Sequence, residues 1–266
     1  HLSIRRQRQM CIRDRTTGIG FGGFAFFLFA LVSVMNSISG EFESGSMIPL
    51  LTKPVSRTTV YLGKIFAALL IILGAYTLLT IYLALGGFII YGPQNNVHLI
   101  FITLLGSIMS TLVWMSIVLA IGSVSKSSML AALFGIGVWF GLMIAQGILS
   151  VFSNQAWILT YAPGEGAPGT LNTNGSANQI SILASISTGT EAIATNLITY
   201  ILNPTANVTF IRIEFDPGRG AEGIIVPLYT EPLSLVVARS IAVAAIYIFV
   251  FNFIAWYALK RAQVAE

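Results

Sequence analysis

The chain has 266 residues, of which 55% are hydrophobic and only 9% are charged. Soluble domains carry about 25% charged residues, and a soluble fold of this length cannot bury so much apolar surface, because much of any folded surface stays exposed. Composition therefore excludes an ordinary soluble domain and indicates an integral membrane protein, whose apolar surface is covered by lipid.

The net charge of +4 does not indicate nucleic-acid binding, because the basic residues cluster at one end of the chain. Five of the 14 basic residues lie in the first 15 positions, at Arg5, Arg6, Arg8, Arg13 and Arg15. Beyond them, nine basic residues face nine acidic ones. The run 5–15 resembles translated sequencing-adapter sequence, so we expect residues 1–15 to be a non-native leader that is excluded from the fold.

Five apolar runs are long enough to cross a membrane, since a transmembrane helix needs about 20 apolar residues. In chain order the runs are 17–38, 65–91, 98–122, 127–151 and 235–259. Four runs contain no charged residue, and the fifth contains only Arg239, near one end, where a long side chain reaches the interface. The sequence predicts an all-α membrane protein, a polytopic bundle with five transmembrane helices in this chain.

The segments that connect the runs differ in length and charge. Residues 39–64 are charged and amphipathic, residues 92–97 form a short turn, and residues 152–234 form a long polar segment. Within that segment, 178–202 predicts an amphipathic helix lying on the membrane, and 208–215 alternates as a strand does. We therefore expect membrane helices over 16–151 with the charged segment 39–64 among them, an external segment over 152–234, and a last helix with its tail over 235–266.

Basic residues in the short loops predict the orientation of the chain, because cytoplasmic loops are enriched in Lys and Arg. One side carries Lys53, Arg57, Lys64, Lys126, Lys260 and Arg261. We expect this side to be cytoplasmic, with the C-terminus on it, in a multi-pass protein of the cell membrane. Five spans then place the arginine-rich leader outside, against the same rule, so we expect six native spans of which the first is missing here.

The sequence contains no motif typical of an enzyme or a nucleotide-binding protein. It lacks Gly-x-x-x-x-Gly-Lys-Ser/Thr, Gly-x-Ser-x-Gly and His-Glu-x-x-His patterns. Its single cysteine, Cys11, lies in the leader, and its two histidines do not form a zinc motif. We expect no catalytic, cofactor or metal site, and the absence of ionisable residues at depth favours energy supplied from outside the spans.

Three hydroxyl residues share one face of the third run, at i, i+3 and i+4 spacing: Ser107, Ser110 and Thr111. Such a stripe is a candidate lining for a substrate path. The alternative is that these residues make interhelical hydrogen bonds, which is the more frequent role of hydroxyls in membrane helices. The sequence leaves both interpretations open.

Residues 40–64 hold the densest charge outside the leader. Glu41 and Glu43 directly follow a span, and an apolar patch comes next, at Met47, Ile48, Leu50 and Leu51. Pro54 ends the local helix, and Ser56 is placed to cap the helix that enters the next span. The pattern predicts a short amphipathic helix followed by a turn. From these residues alone, a helix that merely covers the end of the bundle is an equal alternative.

Three sequence blocks in this segment resemble the loop between the second and third spans of type-2 ABC transporter permeases. They are Glu-Phe-Glu-Ser-Gly at 41–45, Leu-Leu-Thr-Lys-Pro-Val-Ser-Arg at 50–57 and Leu-Gly-Lys at 62–64. The resemblance implies that Glu41, Glu43 and Gly45 start a coupling helix, that Met47, Ile48, Leu50 and Leu51 bury against an ATPase, and that Lys53 and Arg57 lie at the rim. Pro49 departs from the pattern, where a helix-forming residue is expected.

The resemblance also implies a function. In such permeases six spans form one half of the transporter, so this chain is expected to be a non-catalytic permease subunit of an ATP-driven transporter, an exporter in our interpretation. ATP would be bound by a partner ABC ATP-binding subunit, and two permease subunits would form a homo- or heterodimer in membrane lipid. The alternative is a non-transporting membrane protein that serves in assembly or anchoring.

Overall fold

The computed structural model describes residues 28, 31–32, 34–35, 37, 39–44, 56–92, 98–152, 156–172, 185–215 and 223–261. In this part of the chain the helices are α1 (Ser39–Glu43), α2 (Arg57–Tyr91), α3 (Leu99–Ser125), α4 (Ser128–Phe152), α5 (Ile193–Leu202) and α6 (Leu233–Arg261). Four of these, α2, α3, α4 and α6, are long and apolar enough to cross a membrane. They confirm four of the predicted runs, whereas most of the run 17–38 lies outside the described residues.

Helix α2 begins directly after its capping residue, Ser56. The amide of Thr59 donates to the Ser56 hydroxyl at 3.1 Å, which confirms the predicted cap. The helix therefore starts at Arg57, earlier than the apolar run 65–91, because its first two turns form from polar residues beyond the apolar stretch. It ends at Tyr91, and the residue that follows, Gly92, has a φ of 74°, in the left-handed region that favours glycine.

The core of the bundle lies around α3. In its most apolar stretch 61% of residues are buried, against 17% in α2 and 11% in α4. Val113, Met115 and Val118 are almost fully buried, and Leu31 and Val34 from the first predicted run pack against them. Helix α3 is therefore the central helix, while α2 and α4 leave most of their apolar side chains exposed on the outside of the bundle.

A four-stranded antiparallel sheet lies at one end of the bundle, which we call the sheet end. Its strands are β1 (Pro168–Asn172), β2 (Ser185–Ser187), β3 (Asn207–Phe215) and β4 (Gly223–Pro232), in the order β2-β1-β3-β4. Strand β3 confirms the strand predicted over 208–215, and Phe210 stacks on Tyr229 of β4 across the sheet. Arg239 of α6 pairs with Glu231 at 2.9 Å, which ties the sheet to the last span.

The helix predicted over 178–202 is wrong over part of its length. Residues 185–187 form β2, a short 3-10 turn spans Thr190–Ala192, and the α-helix begins only at Ile193. The hydroxyls of Thr188 and Thr190 explain the break, because they accept hydrogen bonds from the backbone amides of Ala167 and Gly164, each at 3.0 Å. These bonds hold residues 188–190 in a turn. In a continuous helix the two hydroxyls would lie away from these amides.

Helix α5 packs against α3, a contact that the predicted position on the membrane surface did not include. The two backbones meet at Gly106, where an added Cβ would lie 2.6 Å from the Cα of Ala194. Only glycine permits so close an approach, which is the way small residues act between membrane helices. The residues around α5 are consequently brought against the central span.

Candidate functional site

Basic residues collect at the end of the bundle opposite the sheet. This basic end is defined by Arg57, Lys64, Lys126, Lys260 and Arg261, which lie where α2 starts and where α3 and α6 end. The short helix α1, with Glu41 and Glu43, lies at the same end and packs near α3 and α4. The basic end therefore brings together the described residues of the predicted coupling segment.

Glu43 caps the start of α4. Its carboxylate accepts hydrogen bonds from the Ser127 hydroxyl at 2.8 Å, from the Ser128 amide at 3.0 Å and from the Ser128 hydroxyl. The Ser128 hydroxyl, and then that of Ser127, holds the pKa of Glu43 below its usual value. A carboxylate at a helix N-terminus also interacts favourably with the helix dipole. Glu43 thus links α1 to α4.

Glu41 and Arg57 link the same region to two other spans. Glu41 forms an ion pair of 2.5 Å with Lys64 of α2, and Lys64 also donates to the backbone oxygen of Ser37. Arg57 donates to the backbone oxygen of Lys260 at 3.1 Å, so it satisfies a carbonyl at the end of α6. The chain is therefore anchored on both sides of residues 45–55.

The remaining predicted coupling residues fall between these anchors. Gly45, Met47, Ile48, Leu50, Leu51 and Lys53 lie outside the described residues. The role of these residues, and of Glu41, Glu43 and Arg57, towards an ATPase stays a prediction.

Two of the three hydroxyl side chains of α3, those of Ser110 and Thr111, make hydrogen bonds to other elements. Ser110 donates to the backbone oxygen of Thr190 at 2.6 Å. Thr111 donates to the backbone oxygen of Ser107 at 2.9 Å and also bonds the hydroxyl of Tyr76 on α2. The stripe therefore joins α3 to α2 on one side and to the 3-10 turn on the other. Its role in a substrate path stays a prediction, and such a path would have to open at these contacts.

A second network of hydrogen bonds joins three helices, α2, α3 and α6, nearer the basic end. The Asn252 amide of α6 donates to the Ser116 hydroxyl of α3 at 2.7 Å. The Tyr61 hydroxyl of α2 donates to the Asn252 side-chain oxygen at 3.0 Å and to its backbone oxygen at 2.8 Å. This network fixes the relative rotation of α2, α3 and α6.

A small cavity of about 20 Å³, enough for about one water molecule, lies between α3, α4 and the turn that precedes β1. Two tryptophans, two glutamates, a methionine and a glutamine line most of it: Trp114, Trp139, Glu165, Glu191, Met143 and Gln146. The indole N–H of Trp114 donates to the Glu191 carboxylate at 2.9 Å, and Trp139 donates to it as well. The 3-10 turn therefore places a carboxylate against the middle of two membrane helices.

Burial raises the pKa of Glu191 above its ordinary value of 4.5. The negative charge of Glu165 raises it further, whereas the hydrogen bonds from Trp114 and Trp139 lower it. Sequence reasoning missed this residue, because 178–202 was assigned to the membrane surface. One signal was present: Glu191 is the only charged residue between Glu165 and Arg212.

Comparison with protein-family models gives a match to the family described as ABC-2 family transporter protein, over residues 4–264. No curated protein matches the chain, and no solved structure does. The match extends over the spans, the sheet and the basic end together.

Proposed function

The chain belongs to the ABC-2 transporter family, and on that premise we propose that this multi-pass permease is one half of an ATP-driven exporter coupled to a separate ATP-binding subunit. Residues 45–55 are the proposed docking segment. The basic end is the proposed cytoplasmic side, because positive residues are retained there. The sheet end then faces outward.

The observation that carries the proposal is the anchoring on both sides of the docking segment. Glu43 contacts the start of α4, Glu41 pairs with Lys64 of α2, and Arg57 contacts the end of α6. A displacement of residues 45–55 by a partner therefore acts on three spans at once. A helix that merely covered the bundle would not need contacts to three separate spans.

The proposed substrate path runs along α3, past Ser107, Ser110 and Thr111. This route is supported by the hydroxyl stripe and by the bonds that close it, to Tyr76 on one side and to Thr190 on the other. A hydroxyl group of a substrate can replace the protein partner in either hydrogen bond. Movement of α2 relative to α3 would break the first bond and open the stripe.

Mutations can separate the docking of the ATP-binding subunit from the transmission of its movement to the spans. The full-length permease is co-purified with the ATP-binding subunit encoded beside it, and ATP turnover is measured in lipid. Leu51→Asp is expected to abolish association, because it places a charge in the apolar docking patch. Glu43→Lys is expected to preserve association but to lose the stimulation of ATP turnover, because it opposes the α4 dipole and breaks the cap.

Leu202→Asp serves as the matched control, since it makes the same substitution at the sheet end, and it should leave association unchanged. If Leu51→Asp and Glu43→Lys both behave as the wild type, the docking segment is not the coupling element. If no ATP-binding subunit associates with the wild-type chain, the assembly or anchoring alternative is favoured.

A further inference from the structure

The short 3-10 helix Ala156–Tyr161 packs against β3 at the sheet end and leaves three large side chains uncovered. Trp157, Ile158 and Tyr161 are each between 46% and 49% exposed, and the rings of Trp157 and Tyr161 pack edge to face with their centres 6.2 Å apart. The side chain of Leu159 between them is buried in the hydrophobic core of the sheet. Trp157, Ile158 and Tyr161 therefore form an exposed patch on a fixed backing, which we call the aromatic surface.

Helix α6 indicates where the two edges of the hydrocarbon core fall. The stretch from Arg239 to Lys260 contains no other charged residue. At a rise of about 1.5 Å per residue it is about 32 Å long, which matches the roughly 30 Å thickness of the hydrocarbon core. At the basic end Lys260 lies 5.0 Å from the ring centre of Trp256, and cationic and aromatic side chains of this kind are typical of the headgroup layer. Arg239 therefore marks the opposite edge.

Two contacts place the aromatic surface at the edge that Arg239 marks. The guanidinium carbon of Arg239 lies 5.8 Å from the ring centre of Tyr161. The hydroxyl of Tyr247, about two turns further along α6, donates to the backbone oxygen of Tyr161 at 3.3 Å. Helix α6 itself begins about 9 Å beyond Arg239, where the Leu233 amide donates to the backbone oxygen of Ala206 at 3.0 Å. The aromatic surface therefore lies level with the end of the charge-free stretch.

We propose that the aromatic surface is a membrane-interface anchor, which inserts Trp157, Ile158 and Tyr161 among the lipid headgroups at the sheet end. Trp and Tyr are enriched at the boundary between headgroups and acyl chains, because the ring is apolar while its N–H or O–H reaches water. The 3-10 helix also packs against α4, whose last turns expose Ile148 and Leu149. Lipid that surrounds this span therefore lies beside the aromatic surface.

The anchor fixes the height of the sheet relative to the bilayer. Leu159 joins the aromatic surface to the core of the sheet, and Arg239 contacts Tyr161 while it pairs with Glu231 of β4. The aromatic surface, the sheet and the start of α6 are thus held to one another. The anchor depends on the membrane spans and not on the coupling proposed for residues 45–55, so either proposal can fail without the other.

Nitroxide labels at three exposed positions measure the depth directly. The single cysteine, Cys11, is replaced by Ser, so that Ile158→Cys, Phe249→Cys and Thr205→Cys each carry one label. Phe249 is 74% exposed in the middle of α6 and is the lipid reference. Thr205 is exposed and adjoins Ala206, beside the start of α6, and is the water reference. The full-length protein is studied in nanodiscs of phosphatidylethanolamine and phosphatidylglycerol.

Electron paramagnetic resonance compares collisions of each label with oxygen, which concentrates in lipid, and with a water-soluble nickel chelate. We expect the oxygen-to-nickel collision ratio of the Ile158→Cys label to lie several-fold above that of Thr205→Cys and below that of Phe249→Cys. A ratio equal to that of Thr205→Cys would place the aromatic surface in water. Low accessibility to both reagents would mean that protein, such as a second copy of the chain, covers it. Either result would overturn the proposal.

Tryptophan emission provides a second measurement without a label. In nanodiscs that contain lipid brominated close to the headgroup, the wild-type protein should lose more emission than Trp157→Phe, because that variant lacks only the indole ring of the aromatic surface. Equal fractional quenching of the two proteins would also overturn the proposal. The measurement requires no ATP-binding subunit.

Discussion

Gly106→Ala should destabilise the protein through a single methyl group. The new Cβ would lie 2.6 Å from the Cα and 2.8 Å from the backbone amide of Ala194, where ordinary contact begins at about 3.4 Å. Because both atoms are backbone, α5 has to move away from α3 by roughly 1 Å. Overpacking of this kind costs about 1–3 kcal/mol, against a gain of up to about 1 kcal/mol in helix propensity.

The matched control is Gly137→Ala on α4, where an added Cβ meets nothing within 4 Å. It receives the same propensity gain without the clash, so the two variants should differ by about 1–3 kcal/mol. Unfolding in detergent, followed by tryptophan emission, measures the difference. Adding Ala194→Gly should restore only part of the loss, because the backbone atoms of residue 194 remain. Equal stability of the two variants would refute the close approach of α3 and α5.

Three further changes test other contacts. Glu43→Gln should speed hydrogen exchange at the Ser128 amide, because the side chain that caps α4 loses its negative charge and one of its two acceptor oxygens. Unchanged exchange would contradict the cap. Asn252→Leu should cost about 1 kcal/mol, since interhelical bonds in membranes average about 0.6 kcal/mol each, and Thr77→Val, which removes only a bond within α2, should cost less. For Glu191 the folded-state pKa is raised, so the folded state retains a proton that the unfolded state has lost. Its contribution to stability is complete below pH 4.5 and is lost as the pH rises through the raised pKa, with Glu165 and Tyr76 as the titratable groups facing it. Glu191→Gln should therefore gain stability relative to the wild type as the pH rises, and a constant difference would argue against a raised pKa.

The spans were predictable because their determinants are local. An unbroken apolar run of about 20 residues is sufficient evidence for a membrane helix, and the four described spans fall on the predicted runs. The Ser56 cap was predictable for the same reason, since Pro54, Ser56 and Thr59 are neighbours in sequence. Alternation of side chains likewise identified β3.

The contacts that form the candidate sites join residues that are far apart in sequence. Glu43 meets Ser128, Arg57 meets Lys260, and Glu191 meets Trp114. Local patterns do not encode such pairings. The placement of Glu191 was missed because it depends on Gly106 admitting α5 to the central span, which is a property of the packed bundle and not of either segment.

The junction between β4 and α6 has a mechanical consequence. The strand ends at Pro232 and the helix begins at Leu233 with no intervening loop, and the Leu233 amide is bonded to the Ala206 oxygen at 3.0 Å. A 10-residue strand is about 33 Å long, and a 29-residue helix is about 43 Å long. Because the strand continues directly into the helix, we expect a tilt of α6 to displace the far end of β4, at Gly223. A distance probe near Gly223 would then report on motion of the last span.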